Sequence, residues 1–187
     1  LFFFIYLKKD GQIPDVPTFL NSPMANAVNA IFRRYAYEHR LGQDGVAEIF
    51  QSIRVVTTAE ESRALNDDPK PKIILAASGM ATGGRVLHHL KRLLPDSKNT
   101  ILFAGFQAAG TRGEALIHGK REIKIHGEMW TVRAEIRSME SLSAHADSVE
   151  LSTWAAKLSP RPARVFVVYG ETEAASALSE TLKFQLG

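Results

Sequence analysis

Two apolar textures alternate over the first two thirds of the chain: faces that repeat every three to four residues, and short unbroken runs bounded by Gly, Pro or Asp. The first texture predicts helices, the second strands buried on both faces. Leu1-Phe2-Phe3-Phe4-Ile5-Tyr6-Leu7 reads as the end of a buried helix, stopped by Lys8-Lys9-Asp10-Gly11. Thr18-Phe19-Leu20 reads as a short strand. Ser22-Pro23 supplies an N-cap and a proline at the first helical position. Met24, Ala27, Val28, Ile31, Phe32 and Tyr35 follow at helical spacing. The more polar stretch 36–51 predicts a second helix or an ordered loop. Ile53-Arg54-Val55-Val56 predicts a strand, and Thr58 to Asn66 a short helix broken by Asp67-Asp68-Pro69. Lys72-Ile73-Ile74-Leu75-Ala76 and Thr100-Ile101-Leu102-Phe103-Ala104 predict buried strands. Between them, Val86, Leu87, Leu90, Leu93 and Leu94 line one side of a helix.

The texture changes near residue 115. Glu122-Ile123-Lys124-Ile125 and Trp130-Thr131-Val132-Arg133-Ala134-Glu135-Ile136 alternate apolar with polar, and His126-Gly127-Glu128 between them predicts a hairpin turn. Asp147-Ser148-Val149-Glu150 predicts a capping box, with Leu151, Trp154, Ala155 and Leu158 on the apolar face of its helix. Arg164-Val165-Phe166-Val167-Val168 predicts another buried strand. Ala174, Ala175, Leu178 and Leu182 mark a final helix. The alternation of strand and helix implies an α/β fold, a mostly parallel sheet flanked by helices. A hairpin–helix–strand–helix segment follows. The expected division is residues 1–116 and residues 117–187.

With 187 residues, 45% hydrophobic and 23% charged, the chain matches ordinary globular usage, which excludes a disordered or low-complexity chain. The absence of cysteine excludes disulfide scaffolds, Cys-type zinc fingers, iron–sulfur sites and thiol nucleophiles. It fits a reducing compartment, and a cytoplasmic location is expected. A net charge of +3 permits phosphate binding but does not by itself name nucleic acid. No apolar run approaches the roughly 20 residues of a membrane span, so no membrane partner is expected. Because the first residue is Leu1, the chain reads as beginning inside a longer protein.

Three constellations carry chemistry. Ala77-Ser78-Gly79-Met80-Ala81-Thr82-Gly83-Gly84-Arg85 links a strand to a helix. Its glycines permit close backbone approach, and Ser78, Thr82 and Arg85 add donors, a set suited to phosphate. It lacks the Gly-Lys-Ser/Thr of a Walker loop, and a tight turn ahead of a helix explains it equally well. Ser141-Leu142-Ser143-Ala144-His145-Ala146-Asp147 places an imidazole between a strand and a helix. His145 there suits a general acid for a leaving oxygen, or simply fills a polar gap while Ser143 and Asp147 cap the helix. Val167-Val168-Tyr169-Gly170-Glu171 lies at a strand end, where α/β sheets gather ligands. Glu171 also suits a helix N-terminus, and Tyr169 suits packing. His88, His89, His118 and His126 read as solvated surface residues rather than metal ligands, the first two at most near RNA. Ser78 lacks a nucleophile elbow, which argues against Ser–His–Asp catalysis. No complete zinc site emerges from the six histidines.

Taken in order, these stretches resemble the C-terminal half of the β-CASP branch of metallo-β-lactamase-fold ribonucleases. The resemblance rests on Pro14-Asp15-Val16-Pro17 with Asn21-Ser22-Pro23-Met24-Ala25, and on Ser78-Gly79-Met80 through Gly83-Gly84-Arg85. It also rests on Gly105-Phe106-Gln107 with Gly110-Thr111-Arg112-Gly113, on Ser143-Ala144-His145-Ala146-Asp147, and on Val167-Val168-Tyr169-Gly170-Glu171. It implies that residues 1–116 are β-CASP domain, and that 117–187 are the RNA-specificity segment of the metallo-hydrolase fold. It further implies RNA as substrate and two zinc ions in the parent protein, held mainly by an upstream His-x-His-x-Asp-His segment. His145 would be the catalytic residue. Ser78, Gly79, Thr82, Gly83, Gly84, Arg85, Arg112 and Ser143 would contact RNA or phosphate, supported by Asp147 and Glu171.

No zinc is expected in this chain alone, and the isolated chain is expected to be inactive. Its implied partners are the missing N-terminal half and, in a homodimer, a second copy. Tyr169 stands where the family usually has a zinc-reaching His. A phenol is a poor substitute for imidazole, so a non-catalytic RNA-binding or scaffolding relative is the alternative. A third option is a nucleotide-binding α/β domain built on the 78–85 loop.

Overall fold

The structure, a computed structural model, describes residues 2–141, 145–168 and 170–186. It comprises two compact units, Leu1–Met139 and Glu140–Gly187.

In the first unit, α1 (Phe2–Lys9) ends in two lysines and gives way to Gly11 at φ +69°. Strand β1 (Thr18–Leu20) runs parallel between β2 (Arg54–Val55) and β3 (Ile73–Leu75), with Phe19 opposite Arg54 and Ile74. Helix α2 (Pro23–Arg34) begins as its sequence predicts: Ser22 Oγ accepts from the Ala25 amide at 3.2 Å, and Pro23 follows the cap. The stretch 36–51 divides into a 3-10 turn, Ala36–Glu38, and α3 (Gly42–Gln51). Helix α4 (Ala59–Asp67) opens on a full capping box. Thr58 Oγ1 accepts from the Glu61 amide, and Glu61 Oε2 accepts from the Thr58 amide at 3.0 Å. The Thr58 amide, then that of Thr57, holds the Glu61 carboxyl below the usual range. Ile5, Leu20, Ile49 and Ile53 form a small core under this sheet.

A larger core surrounds α5 (Val86–Leu93). Leu87, Leu90 and Leu94 meet Phe103 of β4 (Thr100–Ala104), Leu116 of α6 (Arg112–Ile117), and Ile123 and Ile125 of β5 (Glu122–Ile125). β5 pairs antiparallel with β6 (Glu128–Thr131) across His126 and Gly127, at φ +50° and +87°. Two consecutive positive φ values are what a tight two-residue hairpin requires.

The alternating run 130–136 predicts one continuous strand, and here the structure differs. The Arg133 and Ala134 amides both donate to Leu94 O, at 2.8 and 2.9 Å, closing the C-terminal end of α5. The chain then turns into β7 (Glu135–Met139), which pairs parallel with β4 from Thr100↔Glu135 to Ala104↔Met139. The sheets are therefore parallel β2-β1-β3, parallel β4-β7 and a hairpin. β3 is only half-buried and β4 alternates, so neither is buried on both faces. The apolar face of α2 is also outward: Met24, Val28 and Ile31 are all more than half exposed.

In the second unit, α7 (Ser148–Ala156) starts at the expected capping box. Asp147 Oδ1 accepts from the Glu150 amide at 2.8 Å, and Glu150 Oε2 accepts from the Asp147 amide at 3.0 Å. Ala155 is buried, but Leu151 and Trp154 are exposed, so the expected apolar face is only partly used. Helix α8 (Thr172–Leu186) buries Leu182. The strand expected over 164–168 does not form among the described residues. No ladder pairs it, and Val165, Phe166 and Val168 are exposed. Without cross-strand partners an apolar run has nothing to close its backbone hydrogen bonds.

Candidate functional site

The 78–85 loop leaves the end of β3 and enters α5. Ala81 anchors it. Its methyl is fully buried in the larger core although its φ is +53°, a conformation L-residues rarely hold without such packing. The loop closes on itself through the Ala81 amide to Ser78 O (3.0 Å) and through Ser78 Oγ with Thr82 Oγ1 (2.9 Å). Gly79, Thr82 and Gly84 are exposed. A side chain at Gly79 or Gly83 would meet open space, so packing alone does not demand glycine there.

Two arginines clamp this loop from opposite ends. Arg112, at the start of α6, donates through Nη1 to Ala81 O and Thr82 O, both at 3.3 Å, and through Nε to Lys124 O at 2.7 Å. Arg85 donates through Nη1 to Asn21 Oδ1 (2.8 Å) and Val56 O (3.3 Å), and through Nη2 to Thr57 O (2.8 Å). The guanidiniums of both candidate phosphate contacts are thus engaged with protein oxygens. A third brace comes from Gln107, whose Nε2 donates to Gly79 O at 3.0 Å. The Gly113 amide donates to Met80 O at 3.0 Å. A Cβ on Gly113 would overlap Gln107 Oε1 and lie 2.8 Å from its Cδ, so any side chain here must push Gln107 out of its brace.

Behind Arg85 lies a polar network that sequence reading missed. Asn21 is fully buried at the end of β1. Its Nδ2 donates to Ser62 Oγ (2.6 Å) and to His89 Nε2 (2.7 Å), while its Oδ1 receives Arg85. His89 Nδ1 lies 2.6 Å from Asn66 Oδ1. An amide oxygen only accepts and an amide nitrogen only donates, so this ring is neutral with its proton on Nδ1. His89 is therefore not solvated, as its wheel position suggests, but 3% exposed. Burial first, then the charges of His88 and Arg85, push its pKa down to about 4. The available signal was the buried-polar pairing of an Asn after one strand with a His one turn into a helix, which no local pattern records. His88 is exposed and its ring sits 4.9 Å from that of His126.

The first unit thus gathers Ser78, Gly79, Thr82, Gly83, Gly84, Arg85 and Arg112 around one loop. The remaining candidates belong to the second unit. His145 is exposed, two residues ahead of the cap Asp147, and Glu171 is exposed immediately before α8. Ser143 and Tyr169 lie outside the described residues. Among the described residues no three His, Asp or Glu side chains converge as a metal ligand set, so those described do not fit a zinc centre.

The Beta-Casp domain family model matches residues 1–116, and the model of the Zn-dependent metallo-hydrolase RNA specificity domain matches residues 130–187. Over 179 residues the chain is 36% identical to ribonuclease TTHA0252 of Thermus thermophilus, a match covering 91% of this chain and 40% of that protein. It is 33% identical over 184 residues to the transcription termination factor FttA of Thermococcus kodakarensis, and 32% over 187 residues to that of Pyrococcus abyssi. Each of these matches covers 92% of this chain and 28% of the relative. The chain therefore spans well under half the length of these relatives. The matched models and relatives, together with the motif order, show that the chain belongs to the β-CASP family of metallo-β-lactamase-fold ribonucleases.

Proposed function

We propose that this chain is the RNA-facing part of a zinc-dependent hydrolase that cleaves RNA phosphodiester bonds in RNA processing. Residues 1–116 act as β-CASP domain, and 117–187 as RNA-specificity segment of the metallo-hydrolase fold. The observation that carries this reading is the succession of two family models, one describing an RNA specificity domain, over nearly the whole chain. The clamped loop supports it. With Arg85 and Arg112 held by protein oxygens and Ser78 bonded to Thr82, the exposed Gly79, Thr82 and Gly84 are held in a fixed shape, suited to a phosphate backbone.

In this reading zinc is bound by ligands outside this chain, so the chain alone does not hydrolyse RNA. It works in the cytoplasm, joined to the metal-binding part and paired with a second copy. His145 supplies the proton to the leaving oxygen, with Ser143 beside the phosphate and Glu171 supporting the site. The test is His145→Ala in a protein that includes the metal-binding part. Turnover falls on the order of 10²–10⁴-fold with zinc content unchanged, as for loss of a general acid. An unchanged rate removes His145 from the mechanism. Tyr169 favours a second reading, a non-catalytic RNA-binding relative. Tight RNA binding with no zinc-dependent cleavage by the metal-bearing protein would select it.

A further inference from the structure

We propose that residues 33–40 form a platform for single-stranded RNA, with Arg33, Arg34 and Arg40 against phosphates and Tyr35 and Tyr37 against bases; this rests on the RNA reading above. The chain leaves α2 at Arg34 and enters the 3-10 turn Ala36–Glu38, so three arginines and two tyrosines crowd into eight residues. The turn is fixed from below and from the side. Ala36 and Val46 of α3 are buried beneath it, and the Phe32 and His39 rings stack at 3.7 Å and 21°.

Above it the Tyr37 ring is open and the Tyr35 ring partly so, with Arg34 over one face. Tyr37 is 65% exposed and Tyr35 39%, with their rings 6.3 Å apart and tilted by 52°. Two guanidiniums are held in place without an anion: Arg33 lies 5.2 Å over the Phe50 ring, and Arg34 5.7 Å over Tyr35. Among the described residues no carboxylate forms an ion pair with Arg33, Arg34 or Arg40, although Glu38 lies within the same stretch.

This is the reverse of the situation at Arg85 and Arg112, where protein oxygens already take the donors. Exposed guanidiniums beside exposed phenol rings offer both things a single strand needs, charge along the backbone and a face for an unstacked base. A duplex hides its bases from such a face.

The experiment is fluorescence anisotropy of the 187-residue chain with labelled 12-nucleotide oligouridine and oligoadenosine, and with a duplex of equal length. Tyr37→Ala weakens single-strand binding about 5- to 150-fold, and Tyr37→Phe, which keeps the ring, does not. The Arg33→Gln/Arg34→Gln double variant weakens binding and flattens the log–log salt slope by about 1.4, roughly 0.7 per lost phosphate contact. Arg121→Gln, an exposed arginine elsewhere, leaves single-strand affinity within about two-fold. Circular dichroism melts confirm that each variant folds, and the exposed arginine pair keeps the test alive should Tyr37→Ala not fold. Wild-type binding with unaltered variants, or duplex binding as tight as single-strand binding, overturns the platform and leaves the RNA reading standing. No RNA binding by the wild-type chain overturns both.

Discussion

Lowering the pH from 7 to 4 forces a proton onto His89 and breaks the network behind the 78–85 loop. The ring is 3% exposed, its Nδ1 proton faces Asn66 Oδ1, and its Nε2 accepts from Asn21 Nδ2. A second proton on Nε2 would point at that amide donor. Flipping the Asn21 amide does not rescue it, because Oδ1 is held by Arg85 and Nδ2 also serves Ser62. The folded-state pKa of about 4 lies below the 6.5 of an ordinary imidazole. The unfolded chain therefore binds the proton first as pH falls. The stabilisation is complete above pH 6.5, declines as pH drops from 6.5 to 4, and is gone below that. The gap of roughly 2.5 pH units, at about 1.36 kcal/mol each, gives up to about 3 kcal/mol. Urea unfolding of wild type and His89→Gln at half-unit steps between pH 7 and 4 measures it. The wild type is the more stable protein at pH 7, and its advantage shrinks by about 3 kcal/mol across that window. Parallel losses of stability in the two proteins, or a His89 imidazole resonance that titrates near 6.5 by NMR, would refute the reasoning.

Other consequences follow from the same geometry. Arg85→Lys cannot reach Asn21, Val56 and Thr57 together, so stability falls by roughly 1.5–3 kcal/mol, read by urea unfolding at pH 7. Gly113→Ala must displace Gln107 from Gly79, so it destabilises by about 1–3 kcal/mol and speeds hydrogen exchange in the 78–85 loop. Asp147→Ala removes the side-chain acceptor of the α7 capping box, leaving the backbone amide of residue 147 to donate to Glu150, and costs about 1 kcal/mol, again by urea unfolding.

What the sequence revealed and what it concealed divide by the range of the interaction. The Ser22 cap, the Asp147–Glu150 box and the His126-Gly127 turn are each settled within a few residues, and all three form as their local patterns predict. Asn21 and His89 stand 68 residues apart, and nothing near either one announces the other. The switch of strand partner at 132–134 depends on Leu94 O needing donors, which the alternation of 130–136 cannot show. The same holds for the candidate site. The motif order pointed to the 78–85 loop, while the engagement of Arg85 and Arg112 with backbone oxygens emerged only from three-dimensional placement. Apolar content alone misled at Val165-Phe166-Val167-Val168, since a strand needs a partner as well as hydrophobic residues.

The proposed RNA-contacting surface of this chain lies at the 78–85 loop and around His145. The most direct measurement is ultraviolet crosslinking of the chain to single-stranded RNA containing 4-thiouridine, followed by trypsin digestion and mass spectrometry. Cleavage after Lys72, Arg85, Arg137 and Lys157 isolates peptides 73–85 and 138–157. Nucleotide adducts are expected on both peptides, abolished by excess unlabelled RNA. Adducts confined to other peptides under saturating RNA, or none at all, would contradict that placement.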